Sequence, residues 1–311
     1  VINFRYHVVS ITAVFLALAV GLVLGTAALN GPVTEGLFTE TQSLRKSNGQ
    51  LRDQVAELED EVAKGDEFVK EVAPLLVGGR LTGRRVLLVA MPGADDAAVQ
   101  GVVENLRLAK ASLTGTVRFT DSFVAPQNRE DVRDLATRLL PATIDDVPSD
   151  ADGVTASASL LAGVLLDHQP TVTGSDRTTV LTGYEKEGLI DIDKKITQPA
   201  QGAVIVTDLP ETAETDAADR NAAVLAATKQ FALARVGLVV AGRGTGGDSN
   251  PVAAIRNDAA LGRSVSTVDN VNGSLGQLAA GLALVHWFTE SKAGHYGISD
   301  GADGRIPKPG A

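Results

Sequence analysis

Gly242, Gly244 and Gly247 stand in the spacing G-x-G-x-x-G directly after an apolar run, and Asp269 lies farther on at the end of another strand-like run. In a dinucleotide-binding turn such glycines let the backbone approach a pyrophosphate at a helix N-terminus, while an acid about twenty residues on holds the ribose. Here 248–251 (Asp-Ser-Asn-Pro) reads as a turn and 252–255 as a further short strand, so the segment reads as a glycine-rich loop. Asp95 and Asp96, placed after a strand, have two readings: a metal or phosphate site, or caps that complement the dipole of the next helix. Capping is the favoured one. The histidines are His7, His168, His286 and His295, with no two at metal-ligand spacing, and His286 beside Trp287 on an apolar helix reads as structural. No serine occupies a nucleophile elbow and no triad can be drawn. The chain is expected to be non-enzymatic, with no catalytic, cofactor-binding or metal-ligating residue to name.

The elements around these residues alternate. Short apolar strands are expected at 85–90, 203–207 and 236–241, and helices at 95–111, 129–140, 156–166, 177–187, 217–234 and 274–289. Continuous β-branched strands between amphipathic helices predict a doubly wound, mainly parallel α/β domain over 80–298, entered through Val77-Gly78-Gly79. The Gly/Asp/Pro-rich 299–311 reads as a disordered tail.

Ahead of that domain, 8–29 runs VVSITAVFLALAVGLVLGTAAL without a charge. At 1.5 Å per residue it reaches roughly 33 Å, enough for a hydrocarbon core of about 30 Å, so it predicts one transmembrane helix in contact with membrane lipid. A cleaved signal peptide is the rival reading, although its apolar core is usually about 7 to 15 residues. Arg5 and His7 precede the span, whereas Glu35 and Glu40 precede the first basic residue beyond it. The expected arrangement is a cytoplasmic stub at 1–7, with the bulk outside the plasma membrane. Ala13, Ala17, Gly21 and Gly25 line one helix face, as small residues do where membrane helices meet.

Leu37, Leu44, Leu51 and Leu58 then recur in a heptad, with Thr41, Asn48, Val55, Val62 and Val69 at the alternate seam positions. Leucine at d and branched residues at a predict a parallel two-stranded coiled coil over 36–73, with Asn48 fixing register. Gly65 at a d position and Pro74 are expected to fray and end it. The dimerisation set is therefore Ala17, Gly21, Gly25, Leu37, Leu44, Asn48, Leu51, Val55, Leu58 and Val62, and the expected state is a homodimer.

The 28 basic and 38 acidic residues leave a charge of −10 with no basic stripe, which argues against nucleic acid as a partner. Zero cysteines exclude disulfides and thiolate metal sites.

The opening Phe4-Arg-Tyr-His7-Val-Val-Ser10, the run 13–21, Leu87-Leu-Val-Ala-Met-Pro92, Ser266-Thr-Val-Asp269 and Gly294-His-Tyr-Gly297 resemble the actinobacterial MctB family over nearly the whole chain. If Val1 is read from a GTG start codon, methionine stands there in the native chain and its N-terminus is complete. The resemblance implies copper transport or homeostasis and an outer-membrane location. It also implies kinship with SteB-like members, which work with a SteA-like membrane-associated partner to control cell-wall hydrolysis in division. Copper(I) prefers thiolate and thioether ligands, and Met91 is the sole sulfur side chain. No ten-residue alternating strands of a membrane barrel recur. The residues thus favour a non-enzymatic dimeric envelope scaffold, which the resemblance makes SteB-like; copper is implied by the family name alone, and a sugar or nucleotide sensor is a third reading of the α/β domain.

Overall fold

The computed structural model describes residues 4–29, 32–144, 151–167, 171–208, 216–246 and 249–308. His168, Gly247, Asp248 and the side chain of Leu37 lie outside the described residues. The chain divides into two compact units, Val1–Gly65 and Asp66–Ala311.

The first unit holds helix α1 (Phe4–Leu29) and most of helix α2 (Pro32–Val77). α1 starts at Phe4 rather than Val8, and within it Phe4–Thr26 is long and apolar enough to cross a membrane. The Thr12 and Thr26 hydroxyls donate to Val8 O and Leu22 O, so they present little unpaired polarity to an apolar surrounding.

α2 corrects the expected stop. It runs through Pro74 and ends at Val77, where Gly78 N donates to Pro74 O and Gly79 turns left-handed at φ 70°. An interior proline costs about 3 kcal/mol, but Pro74 lies on the exposed side. On the other side Val69, Ala73, Leu76 and Val77 pack into the core, and that burial outweighs the lost hydrogen bond. Val69, assigned to the intermolecular seam, is thus turned onto its own domain.

The second unit is built on a seven-stranded sheet of order β3-β2-β1-β4-β5-β6-β7. The strands are β1 (Arg85–Ala90), β2 (Ser112–Phe119), β3 (Ile190–Ile192), β4 (Gly202–Val206), β5 (Gly237–Ala241), β6 (Val265–Val268) and β7 (His295–Tyr296). All neighbours pair parallel except β2 with β3, which closes one edge antiparallel. Between β1 and β2 lies α3 (Asp96–Leu108); between β2 and β3 come α4 (Asp121–Val124), α5 (Arg129–Leu139), α6 (Gly153–Leu165) and α7 (Gly174–Lys186). α8 (Ala217–Ala232), α9 (Pro251–Asn257) and α10 (Ser274–Glu290) follow β4, β5 and β6.

Strand periodicity sorts the core into two layers. Leu87 and Val89 of β1, Ala203 and Ile205 of β4, and Leu238 and Val240 of β5 meet helices α4 to α9 on one face. Val86, Leu88, Val204, Val206 and Val239 meet α3, α10 and the end of α2 on the other. With both faces covered, β1, β4 and β5 carry no polar side, which is why they read as unbroken apolar runs.

Two further expectations are corrected. The segment 252–255 is not a strand: it lies inside α9, with Asn250 as N-cap accepting from Ala253 N at 3.1 Å and Pro251 at the first helical position. Nor is 299–308 a disordered tail, since Gly297 N donates to Gly304 O, Asp303 N donates to His295 O, and Ile306 packs against the core.

Candidate functional site

The strand order reverses beside β1: the chain winds outward to β2 and β3, then returns to place β4 on the other side of β1. Connections that diverge in this way leave a crevice at the carboxyl ends of the strands, where ligands of open α/β sheets bind. Its walls are Pro92 and Gly93 after β1, Thr207 and Asp208 after β4, Arg220 and Asn221 on α8, and Ser249. The crevice is open to solvent and holds about 40 Å³, and a neighbouring recess of about 10 Å³ adds Asp95, Arg243 and Asn272. Gly93, at φ 80°, makes the turn that clears the end of β1.

The charges in this crevice are largely matched. Arg243 Nε meets Asp208 at 3.0 Å and Arg220 Nε meets Asp216 at 2.9 Å. Asp95 is the N-cap of α3 and accepts from Ala97 N at 2.9 Å, as its favoured reading required. The arrangement suits a few waters or a small polar group. Among the described residues no group of three His, Asp or Glu side chains gathers to hold a metal.

The glycine-rich loop after β5 does open a helix, contrary to its reading as a strand-bound turn, but the short α9 is already capped. Asn250 Nδ2 donates to Gly246 O at 3.1 Å while its Oδ1 caps α9, so one side chain clamps both loop and helix start. Gly242 N donates to Val268 O, and Val271 N returns to Gly242 O, which stitches the loop to the end of β6.

Asp269, the residue in the ribose position, is 1% exposed and fully engaged. Oδ2 accepts from Arg256 at 2.9 Å, and Oδ1 accepts from Ile298 N at 2.7 Å. Arg256 also donates to Tyr296 O and, through Nε, to Thr267 Oγ1 at 2.9 Å. The same hydroxyl also lies within hydrogen-bond distance of His295 Nδ1, 2.9 Å away. Burial pushes the His295 imidazole below its ordinary value, helped by Arg256 and opposed by Asp303. The two C-terminal motifs of the sequence therefore converge in one buried lock between β6, α9, β7 and the closing strap. Gly297, at φ 133°, is required there, since a Cβ would collide with the Asp269 carboxylate.

His286 Nδ1 lies 3.3 Å from Glu290 one helical turn along α10, a local pair. Of the dimerisation residues, Ala17, Gly21 and Gly25 lie along α1, and added Cβ atoms at the two glycines would meet nothing within 4 Å. Leu44, Leu51, Val55, Leu58 and Val62 form a stripe along α2 that is 52% to 66% exposed, with Asn48 exposed beside it. The crevice residues Thr207, Asp208, Arg220, Asn221 and Ser249 were not singled out by sequence. Only the strand order brings them together, and no local pattern encodes it.

A family model described as "Copper transport outer membrane protein, MctB" matches residues 1–307. The protein named "Copper transporter MctB" in Mycobacterium tuberculosis is 30% identical over 308 residues, covering 97% of this chain and 98% of that protein. Its namesake in Mycobacterium leprae is 30% identical over 313 residues with the same coverage. With a family model spanning nearly the full length and relatives aligned end to end, the chain belongs to the MctB family.

Proposed function

We propose that this chain acts in copper homeostasis at the cell envelope as a membrane-tethered, non-enzymatic α/β protein. The whole-length similarity to proteins named copper transporters carries this reading. Its role is accessory to the passage of the ion. Among the described residues one helix is long and apolar enough to cross a membrane, one such helix per chain does not enclose a pore, and Met91, the sole sulfur side chain of the sequence, is 2% exposed in the core. The N-terminus lies in the cytoplasm and the α/β domain outside the plasma membrane, as the basic Arg5 flank favours. A strain lacking the gene should grow poorly at raised copper and recover with the wild-type chain; unchanged copper tolerance overturns the proposal. Protease added to intact protoplasts should remove the α/β domain, whereas full protection would reverse the orientation.

A second reading rests on the exposed leucine and valine stripe of α2. In it, two copies pair in parallel through 36–73 and through the Ala17, Gly21 and Gly25 face, forming a SteB-like scaffold. Together with a SteA-like membrane or cytoplasmic partner, that scaffold regulates wall hydrolysis in division. The cysteine-free chain makes pairing easy to test. Leu51→Cys at the seam should form a symmetric disulfide in membranes and Asp53→Cys on the outer side should not; equal cross-linking would remove this reading. Gene deletion with septation defects and normal copper tolerance would favour it over the first.

A further inference from the structure

A second cavity, of about 390 Å³, opens on the α10 face between the end of α2, the last turns of α10 and the strap at 306–308. Leu76, Leu282, Val285 and Ile306 give it an apolar floor, with Leu282 and Val285 buried. Arg80 and Lys308 stand at its mouth, both exposed, and neither forms an ion pair with a carboxylate among the described residues. Glu290, the acid of the same rim, is engaged by His286 at 3.3 Å and by Lys292 at 4.0 Å. Of the last four carbonyls of α10, that of Trp287 accepts from Ser291 N at 2.8 Å. With Glu290 engaged, the side-chain charge left available at the rim is that of Arg80 and Lys308, positive in a chain of net −10.

Ligand pockets commonly enclose about 300 to 1,000 Å³ with apolar walls and a few oriented polar groups, which this cavity matches. We propose that it binds an anionic amphiphile, with the aliphatic part on the Leu76/Leu282/Val285/Ile306 floor and a carboxylate or phosphate head at Arg80 and Lys308. Charge-assisted hydrogen bonds to the head supply orientation, and the apolar floor supplies most of the affinity.

The test uses the full chain in nanodiscs of neutral phosphatidylcholine, titrated with dodecanoate against empty nanodiscs. Saturable binding of one molecule per chain is expected, together with no competition from dodecyltrimethylammonium. Arg80→Glu combined with Lys308→Glu, both at exposed positions, should weaken dodecanoate at least tenfold without altering the circular dichroism. Thr289→Trp, also exposed, should block the mouth. A parallel titration with dihexanoyl phosphatidate distinguishes a lipid headgroup from a free fatty acid, and saturable binding of either supports the site. Binding no greater than to empty discs, indifference to charge reversal, or equal affinity for the cationic amphiphile overturns the proposal. So does a Thr289→Cys cross-link between two copies that excludes dodecanoate, since the face would then be a self-association surface.

Discussion

Arg177 is 3% exposed and spends its guanidinium on backbone carbonyls: Nε donates to Val164 O at 2.7 Å, and the terminal nitrogens reach Thr197 O and Val172 O at 3.3 and 3.4 Å. Burial pulls its pKa below the ordinary arginine value, with Asp167 opposing. In the sequence it is one more helix charge, because nothing local marks a guanidinium that ties α6, α7 and the segment ahead of β4. Arg177→Met should lower stability by about 3 to 5 kcal/mol by stranding those carbonyls, and Arg177→Lys should recover only part. Urea unfolding measures this; an unmoved midpoint would reject the role. At His295 the folded pKa is depressed, so the unfolded chain binds the proton more readily. Its stabilising contribution is complete above the ordinary histidine value near 6.5 and declines as pH falls through that value toward the folded one. Thermal midpoints should therefore fall more steeply in this range for the wild type than for His295→Gln. Parallel pH profiles would refute the assignment.

At the scale of elements, strands β1, β4 and β5 and helices α3, α5 to α8 and α10 were legible because unbroken apolar runs and amphipathic repeats are local signals, whereas the four-residue α4 is too short to show a repeat. β2 was not, since Ser112–Phe119 contains Gly115, sits next to a register shift and mixes small polar residues with apolar ones. α9 was misread because four apolar residues fit a strand or a helix equally well, and the deciding mark was Asn250-Pro251 as N-cap and first helical residue. The crevice was legible only as a cap at Asp95, its other walls being products of strand order. α10 shows a different kind of concealment. Its N-cap, Gly273, offers no side chain, and the missing acceptor comes from Asp66 on α2, whose Oδ1 accepts from Ser274 N at 3.0 Å. Asp66→Ala should cost about 1 kcal/mol, the worth of an N-cap, and Asp66→Asn should retain most of it. Equal losses in both variants would point to charge rather than capping.

For the whole molecule, the division at Gly65 and Asp66 predicts how it can be cut. A fragment 66–311 should melt within a few degrees of the α/β transition of the full chain. A fragment 79–311 should melt well below it, having lost Val69, Ala73, Leu76 and Val77 from the α10-side core. Coincident melting of the two fragments would show that the end of α2 contributes nothing to the domain. The lock at Asp269 has a temporal side as well. A ribosome delivers Arg256 and Asp269 before Ile298 and Ser299, so every growing copy passes through a stage in which the carboxylate lacks the amide donors it finally accepts from. Closing the sheet over that ion pair is thus deferred to the last stretch of synthesis, and a nonsense codon between Asp269 and Ile298 would leave a charged group facing a half-built core, a ready substrate for quality-control proteases.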